Sequence, residues 1–578
     1  MKNKALLLCA GLPLLALSMP GCSDNRDYIS SFGSATLYQP KSGDEGYYPS
    51  YLGEFSYGIS NRYGENEAMV SLDGVFSLLG AIYGSEISKN VVGQSVTYLL
   101  PNSVGTVTIN ATDDYVTFSD FDAFASGSGV VVNDAVQTSM NGNIEALSKS
   151  SYTTGGETKF NLLEYEIPIY LEGDDALMPT AAANYLFLNP LGFFIAFNGS
   201  SFFLFSSYAQ LIYNDGLSPF GQQYYGGALS SQSERNGYVA KLHGQESLFF
   251  LDHFYGFQDD ERVSDGWGSY LKESYPAVYE GLYSTSPEES ASAWDSIARV
   301  IIGDGHTGTY SAAYKNLGPF YNGGQHSASS ERSERATSLN SYYKQYTDLR
   351  KEKLGEDAPY FQIEGDTAFI RFDSFVYSGI TGGMGEQVYE EYATSDNYAL
   401  FAYSFAKIKE NGGIKDVVID LACNGGGVAN SCMAALCFLT NEASYALYNP
   451  LTGSKNLWYI HGDANADGKI EDNESYAGQY DFYVLTSEYS FSCGNLFPSV
   501  CKTSGIKSIG AKSGGGACVV YASVTPDGQP FQISGLKRLS NDFDDPSNSI
   551  DSGIAVDYSL SSEYWYDLSY IDSWLETI

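Results

Sequence analysis

The sequence predicts an α/β domain over residues 356–578, with a mixed sheet and crossover helices, preceded by a helical segment and a β-rich N-terminal region. Two continuous apolar runs, DVVIDL at 416–421 and DFYVLT at 481–486, are typical of strands that are buried on both faces of a sheet. Segments with helical spacing of apolar residues follow these runs, and strand–helix alternation of this kind indicates a parallel or mixed sheet.

The composition is strongly acidic. The 578 residues include 31 Lys and Arg against 69 Asp and Glu, a formal net charge of −38, and 43% are hydrophobic. This apolar fraction suffices for large cores and excludes a disordered chain. Because phosphate binding requires clustered basic side chains, the charge argues against nucleic acid as a partner and against attachment to anionic lipid by charge.

The first residues are typical of an export signal. A basic start precedes the apolar stretch 5–17, which is too short to span a bilayer. The small residues before Cys22 resemble the lipobox of bacterial lipoproteins, although the Met-Pro pair ahead of them is not preferred there. We expect a signal peptide at 1–21, an acylated Cys22, a polar tether at 22–30, and a lipid-anchored location at the bacterial cell envelope. The alternative is an ordinary cleaved signal that happens to contain Cys.

Apart from Cys9, which lies within the expected signal peptide, and Cys22, the cysteines all lie in the last third of the chain. No pair has the two-plus-two spacing of a zinc site, and their neighbours are apolar, so buried free thiols are expected rather than disulfides. They are Cys423, Cys432, Cys437, Cys493, Cys501 and Cys518.

Residues 31–235 form the expected β-rich accessory region. Short runs of β-forming residues lie between turn residues there, as in 96–100, 105–109 and 163–171, and none carries a chemical motif.

Residues 236–355 are expected to be mainly helical. The spacing of apolar residues predicts helices over 246–257, 267–283 and 286–302, and Ser286 before Pro287 is a typical helix start. The polar stretch 327–335 predicts a loop or lid before a further helix at 337–353.

Three motifs could carry chemistry. The first is Asn424-Gly425-Gly426-Gly427, directly after DVVIDL. A strand that runs into three glycines and then a helix leaves backbone N–H groups exposed at the carboxyl edge of the sheet, which suits an oxyanion hole. A plain tight turn is the alternative.

The second motif places Ser492 where DFYVLT turns into a helix. Such a corner can present a hydroxyl at the sheet edge, although most serines at these corners are helix caps. The third motif places His306, one of only five His, in a turn with Gly303 and Gly305. A lone His is usually structural.

Together the motifs resemble those of a known family. Asp-Gly-His-Thr, Asn-Gly-Gly-Gly, Phe-Ser-Cys-Gly and Ile-Gly-Ala-Lys-Ser-Gly-Gly follow one another in this order within 240–578. This resembles the tail-specific (C-terminal processing) serine peptidases, in the branch that includes the tricorn protease core. The resemblance implies a ClpP/crotonase-like fold for the α/β domain.

The resemblance also implies site residues. Ser492 matches the nucleophile and His306 the general base, while the N–H groups of Cys493 and of Gly425 or Gly426 would bind the oxyanion. The branch of the family that uses a Ser-Lys pair has its Lys in a Gly-Lys-Gly context. Here that context holds only Ser and Gly, so His is the expected base.

Several positions depart from the family pattern. Lys512 precedes the glycine-rich context and is expected to pack or pair structurally, and Gly305 stands where the tricorn-type site has Ser. Asp551 is the candidate for the acidic group that orients the base, and Asp557 is the alternative. The chain between His306 and residue 360 is too short and too polar for a PDZ insert.

Residues 463–474 fit the twelve-position loop of an EF-hand calcium site, with Gly at position six and Ile at position eight. No flanking helices are evident, so a structural Ca²⁺ on another scaffold is expected; an acidic surface turn is the alternative. The expected ligands are Asp463, Asn465, Asp467, the carbonyl of Lys469, Glu471 through water, and Glu474.

The sequence therefore predicts an exported, lipid-anchored serine endopeptidase that acts on proteins or peptides and needs no organic cofactor. Its membrane contact would be through the N-terminal lipid, and its oligomeric state is left open. A catalytically weak or inactive relative that binds peptides or glycans is the main alternative. A small-molecule esterase fits less well, because no Gly-x-Ser-x-Gly surrounds Ser492.

Overall fold

The computed structural model describes residues 27–101, 104–126, 142–214, 216–309, 317–324, 326–327 and 330–578. The expected signal peptide and Cys22 lie outside these residues. Within them, no helix is both long and apolar enough to cross a bilayer.

The N-terminal region is rich in strands, as expected. Its strands are β1 (Ile29–Gly43), β2 (Gly46–Ser60), β3 (Ala68–Ser71), β4 (Ser88–Val92), β5 (Ser95–Leu100), β6 (Gly105–Asn110), β7 (Tyr115–Phe118), β8 (Ile144–Ala146), β9 (Ser151–Thr153), β10 (Thr158–Asn161), β11 (Tyr170–Glu172), β12 (Asp175–Pro179), β13 (Phe194–Phe197), β14 (Phe202–Phe205), β15 (Ile212–Tyr213) and β16 (Gly216–Leu217). Its helices are α1 (Leu72–Tyr83), α2 (Phe121–Ala125), α3 (Thr180–Ala183) and α4 (Pro219–Tyr225).

The next segment is helical. It contains α5 (Gly237–Phe254), α6 (Trp267–Ser274), α7 (Pro276–Leu282), α8 (Pro287–Ser296), the short strand β17 (Gly308–Thr309) and α9 (Glu334–Leu354). The Ser286 hydroxyl caps α8 by accepting the N–H of Glu289. The single helix expected over 267–283 is divided at Pro276, because proline has no N–H to continue the helical ladder.

The C-terminal part alternates strands and helices. Its strands are β18 (Phe361–Glu364), β19 (Thr367–Arg371), β20 (Asp416–Asp420), β21 (Ala443–Tyr448), β22 (Lys455–Gly462), β23 (Asp481–Thr486), β24 (Lys507–Gly510), β25 (Cys518–Val524), β26 (Pro530–Ser540) and β27 (Tyr558–Ser559). Its helices are α10 (Glu386–Tyr392), α11 (Asn397–Asn411), α12 (Ala429–Cys437), α13 (Cys493–Thr503) and α14 (Leu568–Leu575).

The central sheet of this part has the strand order β18-β19-β20-β23-β24-β27. Strands β19 to β27 in this order pair in parallel, and β18 is antiparallel at one edge. Val417 and Ile419 of β20 face one apolar core and Val418 faces another, so the strand is buried on both sides. The mixed sheet with crossover helices is therefore confirmed.

The remaining sheets connect the parts of the chain. A seven-stranded sheet joins β17 to β26 and also contains β21, β22 and β25, with β8 and β9 of the N-terminal region paired to β22. Two N-terminal sheets have the orders β11-β12-β3-β2-β1-β14-β13 and β10-β7-β6-β5-β4, and β15 pairs with β16. The N-terminal region and the helical segment share one hydrophobic core, which Phe531 and Ile533 of β26 also enter.

Two local expectations have clear outcomes. The six cysteines of the last third are all buried and free, as expected. The strand expected over 163–171 is wrong at its start, where the 3-10 helix Leu162–Tyr165 is formed. The N–H groups of Leu162 and Leu163 both donate to the Asp114 carbonyl, which turns the chain there.

A buried polar cluster connects three parts of the molecule. His243 of α5 contacts Asp527 through Nδ1 and Glu67 through Nε2, each at 2.8 Å. Arg235 also pairs with Asp527 at 2.8 Å. The neighbouring carboxylates raise the pKa of His243 to about 9 despite its burial, so this His is charged at neutral pH.

The cluster predicts a loss of stability in alkali. The pKa of His243 is about 9 when folded and about 6.5 when unfolded, so its contribution is complete below pH 6.5 and disappears as pH rises through 9. The contribution is on the order of 3 kcal/mol. We expect the melting temperature to fall between these pH values, and to fall less steeply in His243→Gln.

The control is His253→Gln. Burial lowers the pKa of His253 to about 4, so this residue is neutral in the folded state across the whole interval. In the unfolded state it is neutral only above about pH 7.5, so the slopes are compared between about pH 7.5 and 9. The control should lower the melting temperature without changing its slope with pH. Equal slopes in wild type and His243→Gln would contradict the assignment.

Candidate active site

The glycine-rich loop follows the carboxyl end of β20. Its shape is set by Asn424, whose Oδ1 accepts the N–H of Gly426 at 2.9 Å and whose Nδ2 donates to the Phe372 carbonyl at 3.2 Å. The N–H of Gly425 donates to the Asp373 carbonyl at 3.2 Å. The amides of Gly425 and Gly426 are therefore already engaged within the protein.

Ser492 lies at the corner between β23 and α13, with φ +58° and ψ −121°. Few residues other than glycine adopt a positive φ, and such strain costs about 1–3 kcal/mol unless the surroundings enforce it. Here the Ser492 N–H donates to the Gly515 carbonyl at 2.8 Å. The corner is also fixed by the Ser490 hydroxyl, which donates to the Leu421 carbonyl at 2.7 Å.

The Ser492 side chain does not cap the helix. Its hydroxyl makes no hydrogen bond to any residue that the structure describes, and it is half-buried. A Cβ atom placed on Gly426 would lie 2.6 Å from the Ser492 Cβ. The glycine loop therefore approaches the serine so closely that a side chain at 426 would collide with it.

Two backbone amides, one at the serine corner and one in the glycine loop, have no partner within the described ranges. They are the N–H of Cys493, the first residue of α13, and the N–H of Gly427. Of the three expected oxyanion donors, only Cys493 has its amide free, whereas those of Gly425 and Gly426 are engaged. Gly427, which the sequence analysis did not single out, supplies the second free amide.

His306 lies in a turn that Asp304 organises. One Asp304 oxygen accepts the N–H groups of His306 and Thr307, at 2.9 and 2.7 Å. The imidazole packs 4.5 Å from the ring of Phe491, centroid to centroid, directly before Ser492 in the chain. A Cβ atom on Gly516 would lie 3.0 Å from the His306 Cε1.

Neither ring nitrogen of His306 is hydrogen-bonded to a described residue, and Nε2 is buried. Burial lowers the pKa of His306, nearby Asp304 and Asp551 oppose this effect, and Arg335 adds to it. The imidazole is therefore neutral near pH 7, the form that a general base requires. The structure brings His306 to the loop that carries Ser492 without a hydrogen bond between the two side chains.

The two acidic candidates are engaged elsewhere. The Asp551 carboxylate accepts from Arg335 at 2.9 Å and from the N–H of Ala517 at 3.3 Å. Asp557 accepts from the N–H and the hydroxyl of Ser508, at 2.8 and 3.1 Å. The role of either acid as an orienting group for the base stays a prediction.

Arg335 and Lys512 complete the surroundings. Lys512 is exposed, and its expected structural packing or pairing stays a prediction. Arg335 falls in the stretch expected to be a loop, but α9 begins at Glu334 with Ser333 as its cap. The Ser333 and Glu334 pair was a signal for this earlier helix start.

The calcium-type loop is shaped by its own hydrogen bonds. The Asp463 carboxylate accepts the N–H groups of Asp467 at 3.1 Å and Gly468 at 2.7 Å. Asn465 donates to one Glu474 oxygen at 2.8 Å, and the other Glu474 oxygen is buried without a partner. Among the described residues, no three His, Cys, Asp or Glu side chains are grouped as a metal would require.

The comparison with protein families decides the class of this domain. Residues 366–560 match the model of peptidase family S41. This part of the chain is an S41 peptidase domain. The match includes Ser492, the glycine loop and Asp551, and His306 lies before it. The expected enzyme class, a serine-type peptidase, is confirmed at the level of the family.

Solved structures resemble the chain more distantly. The photosystem II D1 C-terminal processing protease is 17% identical over 34% of this chain and 43% of its own, with a TM-score of 0.26. A lipoprotein from Streptococcus agalactiae is 15% identical over 59% of this chain and 96% of its own, with a TM-score of 0.34. The tricorn protease is 15% identical over 42% of this chain and 19% of its own, with a TM-score of 0.23. No curated protein sequence matches the chain.

The contact between Gly426 and Ser492 predicts a sensitive position. Gly426→Ala would push its methyl group against the serine, and we expect the rate of labelling by a fluorophosphonate, which reacts with activated serines, to fall by about tenfold or more. Gly478→Ala is the control, because Gly478 also has a positive φ but open space around its Cβ position. Equal labelling of the two variants would contradict the close approach.

Proposed function

We propose that this protein is an exported, lipid-anchored serine endopeptidase in which Ser492 forms an acyl-enzyme and His306 is the general base. One observation carries the proposal: Ser492 is held at φ +58° with a hydroxyl that has no partner in the described structure, beside two free amides. The lipid anchor is supported by the sequence around Cys22. Its substrate would be a protein or peptide.

The reaction would proceed in two halves. The Ser492 oxygen attacks the scissile carbonyl while its proton passes to Nε2 of His306, the buried ring nitrogen. The oxyanion that develops accepts hydrogen bonds from the amides of Cys493 and Gly427. His306 then donates the proton to the leaving amine, and water attacks the acyl-enzyme with His306 again as the base.

A specific observation favours a second candidate. His306 has no hydrogen bond to Ser492 or to an acidic group, and Asp551 is paired with Arg335 instead. A catalytically weak or inactive relative that binds peptides or glycans would have this arrangement. The two candidates differ in whether the serine is activated.

The first test is covalent labelling with the fluorophosphonate. We expect the wild type to be labelled and Ser492→Ala not to be labelled, because the phosphonyl group is transferred to an activated hydroxyl. His306→Gln should reduce labelling by about a hundredfold or more, since the base is lost. Ser504→Ala, which removes a hydroxyl at the other end of α13, should behave as the wild type.

If the wild type melts cooperatively but is not labelled, the peptidase proposal is excluded. The alternative, a protein that binds peptides or glycans, then remains. Labelling that persists in Ser492→Ala would place the nucleophile elsewhere.

We also propose that the loop 463–474 binds a structural Ca²⁺. Burial and neighbouring carboxylates raise the pKa of Asp463 and Glu474, and a cation would relieve this crowding of negative charge. One Glu474 oxygen is buried without a hydrogen-bond partner among the described residues, so it is available to coordinate a cation. The expected ligand side chains are not already grouped around one point in the described structure. Binding would therefore require the loop to close around the ion.

Calcium should therefore raise the melting temperature of the wild type. Asp467→Ala should abolish the increase, because position five of the loop would lose its oxygen. Asp472→Ala, at position ten of the same loop, removes an exposed carboxylate that is not an expected ligand and should retain the increase. An equal response of both variants would exclude the site.

A further inference from the structure

We propose that Arg335 is a positioning residue for the Ser492–His306 site, acting through an ion pair with Asp551. The inference rests on the proposed function, since it assigns Arg335 a role in that same site. Nothing in the motifs points to this arginine, which precedes Ser492 by 157 positions.

Arg335 holds two segments of chain at once. Its Nη1 donates to the Asp551 carboxylate at 2.9 Å, and its Nη2 donates to the carbonyls of Asp551 at 2.9 Å and Gly514 at 3.0 Å. This planar, forked donor set cannot be reproduced by lysine. The guanidinium therefore joins the segment around Asp551 to the loop 514–516.

The loop 514–516 in turn contacts both Ser492 and His306. The Gly515 carbonyl accepts the N–H of Ser492 at 2.8 Å, and the Gly514 N–H donates to the Ser490 carbonyl at 2.9 Å. Gly516 lies against His306, since a Cβ atom there would be 3.0 Å from Cε1. A shift of this loop would move the serine backbone and the wall of the imidazole pocket together.

Arg335 also contacts the ring that separates it from the base. Its guanidinium lies 5.3 Å from the centroid of Phe491, and the His306 ring lies 4.5 Å from the same centroid. The Arg335–Asp551 pair is 26% exposed on each side, so its direct contribution to stability is small. We therefore expect the Arg335–Asp551 ion pair to affect the position and the electrostatics of the Ser492–His306 site rather than the stability of the fold.

The helix that carries Arg335 is itself attached to the site. Leu339 of α9 would lie 3.3 Å from a Cβ atom on Gly305, next to His306. Tyr346 donates to Glu488 at 2.5 Å, and Arg350 pairs with Asp373 through two hydrogen bonds. Arg335 is therefore anchored relative to the nucleophile corner.

The charged groups near His306 come from three elements. Asp304 lies in the turn of the base, Arg335 on α9 and Asp551 in the 3-10 helix Ile550–Ser552, and each influences the pKa of His306. The thiol of Cys518 is also close to both acids. The Asp304 carboxylate accepts hydrogen bonds within its own turn. The remaining charge near His306 therefore depends on the Arg335–Asp551 ion pair.

The test compares two variants that break the same ion pair. Arg335→Gln leaves the Asp551 carboxylate unbalanced and should raise the pKa of His306. Asp551→Asn leaves the guanidinium unbalanced and should lower it. In pH profiles of the fluorophosphonate labelling rate, we expect the acid limb to move to higher pH in the first variant and to lower pH in the second, each by about half a unit.

Two further variants separate charge from geometry. Arg335→Lys keeps the charge but loses the fork, so its acid limb should stay near that of the wild type while its labelling rate falls. Arg350→Gln breaks the other arginine–carboxylate pair of α9 and should leave the acid limb unchanged. Melting curves establish that every variant is folded.

A second measurement does not depend on activity. The chain has only five His, so NMR titration of ¹³C-labelled histidine, with His306→Gln for assignment, gives the pKa of His306 in each variant. Shifts in opposite directions support the inference. Shifts that are equal, in one direction or absent would overturn it, even if the wild type is labelled. A wild type that does not react, with opposite NMR shifts, would overturn the proposed function alone.

Discussion

The strained backbone of Ser492 is the constraint on which the rest of the site depends. A serine at φ +58° relaxes unless its surroundings hold it. Here the Gly515 carbonyl receives its N–H, and Gly426 leaves no space on the other side. The hydroxyl does not cap the helix that it precedes, and the first amide of that helix has no partner among the described residues, as the proposed oxyanion donor requires.

His306, the proposed base, is held by a different part of the fold. Strand β26 connects the turn of His306 to the seven-stranded sheet, since Gln532 donates to the His306 carbonyl at 2.8 Å and the Ser534 N–H donates to Thr307 at 3.1 Å. Residues of β26 also enter the core that the N-terminal region shares with the helical segment. The N-terminal region thereby supports the S41 domain through the segment that contains His306.

The buried cluster around Asp527 strengthens this connection. It ties α5 and the N-terminal region to the turn between β25 and β26 through side chains that are removed from water. Breaking one partner of such a cluster leaves an uncompensated charge, which is strongly destabilising. The segment that contains His306 is therefore packed against the N-terminal region as well as against the segment that matches the S41 family.

The sequence by itself determined the mixed sheet, the glycine loop, the serine corner and the imidazole turn, because apolar runs and glycine clusters are local patterns. It did not determine which amides are free. The family motif indicated Gly425 or Gly426, but the tertiary structure places acceptors from Asp373 and Asn424 beside these two amides and leaves that of Gly427 without a partner among the described residues. Nor did it reveal the Arg335–Asp551 pair, which joins positions separated by 216 residues. Hydrogen-bond partners at such distances are chosen by the folded geometry, and no local pattern of residue types records them.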